Sequence, residues 1–215
     1  MNRSEDEIPL VSQDGRMTRE QGHALKNIFS IIIANAEMVG EELEASGQMQ
    51  RRLERIKEAC RRGEELVQQI RTPEGLRGHS SQPQASEKPA TATPPGHILV
   101  VDDEKDIVTI ISRYLLKEGL TVQGMTDSRL ALEQVQANPF AFDLLLTDVD
   151  MPHLSGATLC RGVHAVRPDL PVLMVTGYDR HFSGEQLADL GVGELLMKPL
   201  NRQALLAAVR RLLAP

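Results

Sequence analysis

The sequence predicts two folding units of different class: an α/β unit with a parallel sheet over residues 97–215, preceded by an all-α helical hairpin over 17–72. Three observations carry that prediction. From residue 97 onward, short apolar runs alternate with amphipathic stretches, the pattern of repeated strand–helix units. Residues 17–72 are rich in Glu, Arg, Leu and Ile and contain no proline. Between the two, residues 73–96 hold Pro73, Pro83, Pro89, Pro94 and Pro95 among Ser, Thr, Gln and Ala, with no apolar period, and read as a flexible linker. The polar, acidic start, residues 1–16, is expected to be disordered.

In the second unit the first strand is His97 to Val101, running into Asp102, Asp103 and Glu104. An amphipathic helix follows from about Lys105 to Lys117, and Gly119 stops it. Further strands are expected at Leu120–Val122, Leu144–Leu146, Val172–Val175 and Glu194–Met197, with helices near 128–137, 156–166, 183–190 and 202–213. Strands that alternate with helices make a doubly wound, five-stranded parallel sheet covered on both faces. Such a sheet binds its ligands at the carboxyl ends of the strands, where the winding reverses.

The first unit shows a heptad-like seam. Leu25, Phe29, Ile32, Ala36, Val39 and Leu43 recur in steps of four and three, and Met49, Leu53, Ile56, Cys60, Gly63, Val67 and Ile70 repeat the pattern after a turn at Ser46 and Gly47. Thr18 and Gln21 have capping-box spacing, and Pro73 ends the second helix. Ile28, Ile31 and Ile33 lie outside that seam, so the apolar surface is wider than one hairpin can bury. Pairing two copies into a four-helix bundle would bury it, which predicts a homodimer.

Composition narrows the function classes. The formal net charge is −6, which argues against a nucleic-acid footprint; the pairs Arg51-Arg52, Arg61-Arg62 and Arg210-Arg211 read as solvated helix faces. No apolar run reaches the length of a membrane span, and the N-terminus is unlike a secretory signal. Cys60 and Cys160 lack a CxxC partner or a flanking His cluster and read as reduced thiols, so a cytoplasmic protein is expected.

The chemistry-bearing residues fall at strand ends. Asp102 and Asp103 follow the first strand and Asp148 the third, which puts three carboxylates on one sheet edge. Like charges about 4 Å apart repel by roughly 4 kcal/mol at an effective dielectric near 20. Either one carboxyl takes a raised pKa or a cation sits among them, and an open all-oxygen site suits Mg²⁺. Thr176, with Gly177 beside it, ends the fourth strand, and Lys198, followed by Pro199, ends the fifth. A hydroxyl and an ammonium on that edge can bind phosphoryl oxygens.

These stretches resemble the receiver domains of bacterial two-component signalling. The matching segments are Ile98-Leu99-Val100-Val101-Asp102-Asp103-Glu104, Leu145 through Asp148-Val149-Asp150-Met151-Pro152-His153-Leu154-Ser155-Gly156, Val175-Thr176-Gly177-Tyr178 and Met197-Lys198-Pro199. The resemblance implies a flavodoxin-like fold in which Asp148 is the nucleophile that becomes an acyl phosphate. It implies Mg²⁺ held by Asp103, Asp148 and the backbone carbonyl of Asp150, with Asp102 acting through water. It further implies that Thr176 binds a phosphoryl oxygen and that Lys198 pairs with the phosphoryl group across a cis Lys-Pro bond. Leu195 stands where such domains often carry an aromatic switch residue.

The stretch Gly22-His23-Ala24-Leu25-Lys26-Asn27-Ile28-Phe29-Ser30 is similar to the phosphoacceptor motif in the dimerisation hairpin of sensor histidine kinases. On that resemblance His23 is a candidate phosphohistidine, and Asn27 is placed to orient water against a partner's aspartyl phosphate. The acid that follows the His in that family is Ala24 here, and a methyl group accepts no proton. No glycine-rich nucleotide loop lies between hairpin and receiver, so the chain is not expected to act as a kinase from ATP; its self-phosphorylation at Asp148 would draw on a phosphodonor.

Three functions follow as alternatives: a phosphorelay using His23 and Asp148; a receiver whose hairpin serves only dimerisation and docking; or a phosphatase acting through Asn27. The implied partners are sensor histidine kinases or other receivers. A linker of about 25 residues reaches roughly 25–30 Å, enough to permit exchange within one chain. No nucleic-acid output is expected, because the last predicted helix runs to the end of the sequence, and no membrane association is expected.

Overall fold

The computed structural model describes residues 19–42, 47–71, 96–177 and 182–214. The N-terminal segment 1–16, Thr18, Ser46, Tyr178 and all of the expected linker except Gly96 lie outside the described residues. The chain divides into two compact units, Met1–Gln82 and Pro83–Pro215.

The second unit is a five-stranded parallel sheet in the order β2-β1-β3-β4-β5. Its strands are β1 (His97–Val101), β2 (Thr121–Met125), β3 (Leu144–Asp148), β4 (Val172–Thr176) and β5 (Val192–Met197). The helices that alternate with them are α3 (Lys105–Lys117), α4 (Ser128–Ala137), α5 (Gly156–His164), α6 (Gly184–Asp189) and α7 (Arg202–Leu213). The chain winds from β1 outward to β2, then crosses to β3 on the other side of β1. The switch point therefore lies between β1 and β3, and β3 and β4 are buried along their whole length.

Helices α3 and α7 pack against one another on one face, and α4 and α5 on the opposite face. The core on the α4–α5 face joins Leu99, Val101, Leu145, Leu159, Val163, Val172 and Met174, with Leu187 and Leu190 from the α6 region packed against it. The aliphatic core follows from a composition that holds no Trp and only four Phe. At roughly 1.5–3 kcal/mol per fully buried large apolar side chain, this cluster dominates the unit's stability.

Four strands are longer than their apolar runs: β3 and β4 take in the Asp148 and Thr176 that close them, and β2 and β5 each take in a glycine. β2 continues through Gln123 and Gly124 because it is an edge strand, and a side chain at Gly124 would collide with Val108 of α3. β5 starts at Val192 and carries a register irregularity opposite Val172–Leu173, where Gly193 interrupts the apolar pattern. Gly119 holds φ +82 just past α3, as a helix C-terminal glycine does. Helix α5 ends at His164, two residues earlier than predicted, and both ring nitrogens of His164 lie against carbonyls, Leu190 O at 3.0 Å and Leu170 O at 2.9 Å.

The first unit contains α1 (Arg19–Glu42) and α2 (Gly47–Arg71), packed along each other. Gly47, expected in the turn, already belongs to α2. The contact seam also differs from the predicted one. Phe29 packs its ring on Gly63, and Leu53 reaches Gly40. Ile33, Ala36, Leu53, Cys60 and Val67 are buried, whereas Ile32, Val39, Met49 and Ile56, assigned to the seam from sequence, are exposed. The reason is size. Gly40 leaves room for the Leu53 side chain and Gly63 for the Phe29 ring, which draws the buried line through those residues and leaves Ile32, Val39, Met49 and Ile56 on the flank.

Candidate functional site

Four strand ends converge at the carboxyl edge of the sheet. Asp148 is the last residue of β3 and Thr176 the last of β4, while Asp102 and Lys198 directly follow β1 and β5. The pairing continues past the strand ends: Asp102 N–H donates to Met125 O at 3.3 Å, Val149 N–H to Val175 O at 2.9 Å, and Lys198 N–H to Thr176 O at 2.7 Å. The last of these holds Lys198 beside Thr176. The Lys198–Pro199 peptide is cis, as the sequence resemblance implied.

The site is a buried polar cluster on an aliphatic floor. Asp102, Asp148, Thr176 and Lys198 are each at most 2% exposed. Lys198 Nζ donates to Asp102 Oδ2 at 2.8 Å and lies 2.8 Å from Asp148 Oδ1. The other oxygen of Asp102 accepts from Glu104 N–H at 2.9 Å. The other oxygen of Asp148 accepts from Asp150 N–H at 2.8 Å. Asp148 Oδ1 is held by the Lys198 ammonium alone, with no main-chain donor on it among the described residues.

The electrostatics are unbalanced, since Asp102, Asp103 and Asp148 face one ammonium. Burial pushes the Asp148 carboxyl up to about 7; Lys198 pulls it down and the Asp102 charge pushes it further up. Burial also raises Asp103, with repulsion from Asp102 second. Burial alone would depress the Lys198 ammonium, but Asp102 and Asp148 together outweigh it and hold its pKa above the ordinary lysine range. The ammonium thus stays charged, and the surplus negative charge falls on Asp148 and Asp103.

That surplus is what a divalent cation would neutralise. Among the described residues no three acidic, His or Cys side chains close into a metal cage. The oxygens at this edge, from the exposed Asp103, the buried Asp148 and the Asp150 main chain, are of the type an open cation site would use. Mg²⁺ takes such a site, keeping several waters and one or two carboxylates.

Gly156, at the start of α5, abuts this edge: a Cβ there would run into the Asp148 carbonyl oxygen. Leu195 pairs with Met174 and packs, partly buried, against the core. The sequence did not single out Asp102 as the direct partner of Lys198, nor Ser128, whose hydroxyl bridges Pro152 and Leu154. The strand-end position of Asp102 carried the first signal; nothing local marked the second.

In the helical unit, His23 lies on α1 and its side chain is outside the described residues. Asn27, one turn on, is 1% exposed, so its amide is not presented on the surface. Lys26 and Ser30 are buried as well, and Ser30 Oγ donates back to Lys26 O at 3.0 Å. Ala24 is exposed.

Known proteins share the second unit. The response regulator MprA of Mycolicibacterium vanbaalenii is 34% identical over 119 residues, covering 55% of this chain and 51% of its own length. The transcriptional regulatory protein ZraR of Escherichia coli K12 is 35% identical over 117 residues, 54% of this chain and 26% of its own. The chain thus spans about half the length of the first of these relatives and about a quarter of the second. A crystal structure of a response regulator receiver domain protein from Clostridium thermocellum aligns with a TM-score of 0.52 at 30% identity, over 54% of this chain and 93% of that one. Among the described residues no helix is long and apolar enough to cross a membrane. The family model of the response regulator receiver domain matches residues 98–210, and with the strand-end cluster in place the chain belongs to that family.

Proposed function

We propose that this protein accepts a phosphoryl group on Asp148, in a reaction assisted by Mg²⁺ and supplied by a sensor histidine kinase or another phosphodonor. The observation that carries this reading is Asp148 itself: a buried carboxylate at a strand end with one oxygen tied to Asp150 N–H and the other held by the charged Lys198. Asp148 Oδ1 attacks phosphorus, a P–O or P–N bond to the donor breaks, and the leaving group departs with that electron pair and takes up a proton. Lys198 and the Thr176 hydroxyl would hold the phosphoryl oxygens as charge develops. Asp103, Asp148 and the Asp150 carbonyl would hold the cation, with Asp102 reaching it through water. When bound, Mg²⁺ supplies positive charge that keeps Asp148 ionised against its burial.

For the helical unit we propose a homodimer. Ile28, Ile32 and Val39 fall within one stripe of α1 and stand 38–49% exposed; Met49 and Ile56, one heptad apart on α2, are 39% and 44% exposed. A second copy would cover both stripes in a four-helix bundle. His23 is then the residue through which the unit could exchange phosphate with a receiver. The buried Asn27 does not favour the phosphatase reading.

The test is transfer from purified phosphorylated histidine kinases to the full chain, followed as acid-labile and base-labile phosphate. Wild type should take base-labile phosphate and Asp148→Ala none. Acid-labile, base-stable phosphate lost with His23→Ala supports the relay. Full transfer to Asp148 with no phosphate ever on His23 leaves the hairpin as a docking module only. No transfer from any histidine kinase or small phosphodonor contradicts the reading. The relatives' roles as regulators are theirs; for these residues the net charge of −6 argues for protein rather than nucleic-acid partners.

A further inference from the structure

We infer that Ser128 is a positioning residue for the Asp148 site, closing a strained turn in the loop that carries Asp150; this rests on the reading of Asp148 as a magnesium-dependent phosphoacceptor.

A serine at a helix start ordinarily serves as the cap. At α4 that role is taken by Asp127, whose side chain accepts from Arg129 N–H at 2.9 Å and, at longer range, from Leu130 N–H at 3.5 Å. The Arg129 guanidinium grips the same carboxylate at 2.8 Å. The Ser128 hydroxyl is therefore free of capping duty, yet the residue is 1% exposed. It points across to the β3–α5 loop, where Oγ donates to Pro152 O at 3.2 Å and accepts from Leu154 N–H at 3.2 Å.

Those two groups are the ends of a three-residue turn. Leu154 N–H also donates to Pro152 O at 2.9 Å, and His153 between them holds φ +68. A left-handed central residue in so tight a turn is strained for anything but glycine, and such strain persists where the surroundings fix it. The His153 side chain is exposed, so the restraint comes from the main-chain ends. Ser128 is the side chain that engages both.

The turn also sets the path of the site loop. On its N-terminal side Asp150 N–H holds Asp148 Oδ2, and on its C-terminal side Gly156 N–H donates to Val149 O at 2.9 Å, pressed against the Asp148 carbonyl. With the turn closed, Asp150 sits where its amide orients the nucleophile, and the cation held through that residue's main chain would depend on the same placement. With the turn released, His153 relaxes toward negative φ and Asp150 moves with it.

The experiment is the rate of phosphorylation of the full chain by acetyl phosphate as a function of Mg²⁺ concentration, with melting temperature measured in parallel. Ser128→Ala should need about three- to ten-fold more Mg²⁺ for half-maximal rate, the range a lost hydrogen bond supports. His153→Val, a surface change that strains the turn through its β-branched side chain, should shift the requirement the same way. His153→Gly placed in the Ser128→Ala chain should restore it to within about two-fold of wild type, because glycine takes positive φ freely. Unchanged Mg²⁺ dependence in Ser128→Ala, or a lower melting temperature alone, overturns the inference, and so does a double variant no better than the single one. Wild type that takes no phosphate on Asp148 overturns the phosphoacceptor reading along with it.

Discussion

The two units treat polar and apolar surface in opposite ways. In the α/β unit, Asp102, Asp148, Thr176 and Lys198 are buried together at one sheet edge, each at the end of a different strand. In the helical unit, Ile28, Ile32, Val39, Met49 and Ile56 are left exposed on the flanks of two helices. Buried charge is costly unless something uses it, and an exposed apolar stripe is costly unless something covers it. The contrast supports the proposal that the first unit is a phosphoryl-accepting site and the second a docking surface.

The sharpest way to break that contrast is to remove the ammonium. Lys198→Ala leaves Asp102 and Asp148 facing each other without compensation. It should cost roughly 3–5 kcal/mol in urea unfolding, and phosphorylation should slow at least about 100-fold. Stability and rate both near wild type would mean that the buried pair is not the organising element.

The pH dependence comes next. The folded Asp148 carboxyl titrates near 7 and the unfolded one near 3.8, so between those values the folded state binds more protons. Metal-free stability should therefore fall as pH rises from about 4 to 7 and then level off, by an amount on the order of a few kcal/mol. Asp148→Asn should flatten that decline and leave the variant more stable than wild type above pH 7. A wild-type profile that rises through this window would contradict the assignment.

A smaller effect is predicted at Gly156. Its backbone touches the Asp148 carbonyl, so Gly156→Ala must displace one or the other, at about 1–3 kcal/mol with a slowed phosphorylation rate. The smallest effect on the receiver should come from the helical unit. Ile28→Glu with Ile56→Glu should convert a dimer to a monomer by light scattering, while Asp148 phosphorylation by acetyl phosphate changes less than about two-fold, since surface changes remote from a site act weakly. A double variant with the mass of wild type would remove the four-helix bundle.

The same contrast explains what the sequence made legible. Parallel strands end in register, so a residue's position at the close of an apolar run was enough to bring Asp102, Asp148, Thr176 and Lys198 together. Strand lengths were less legible where Gly124 and Gly193 interrupt the pattern for packing reasons. The helical seam failed at Ile32 and Val39 because heptad spacing fits several adjacent lines on an apolar face. The choice among them depended on where Gly40 and Gly63 leave room for Leu53 and Phe29. Ser128 was illegible for a different reason: its partners Pro152 and Leu154 are distant in sequence, and Asp127 carries the local capping signal.

The central claim is that Asp148 is the phosphoacceptor. Its most direct test is peptide-level mass spectrometry of the full chain after incubation with acetyl phosphate and Mg²⁺, with the acyl phosphate trapped by borohydride reduction. The account predicts a single modified residue, Asp148, absent when EDTA replaces Mg²⁺ and absent in Asp148→Asn. Modification of Asp102 or Asp103 in place of Asp148, or of no aspartate at all, would contradict it.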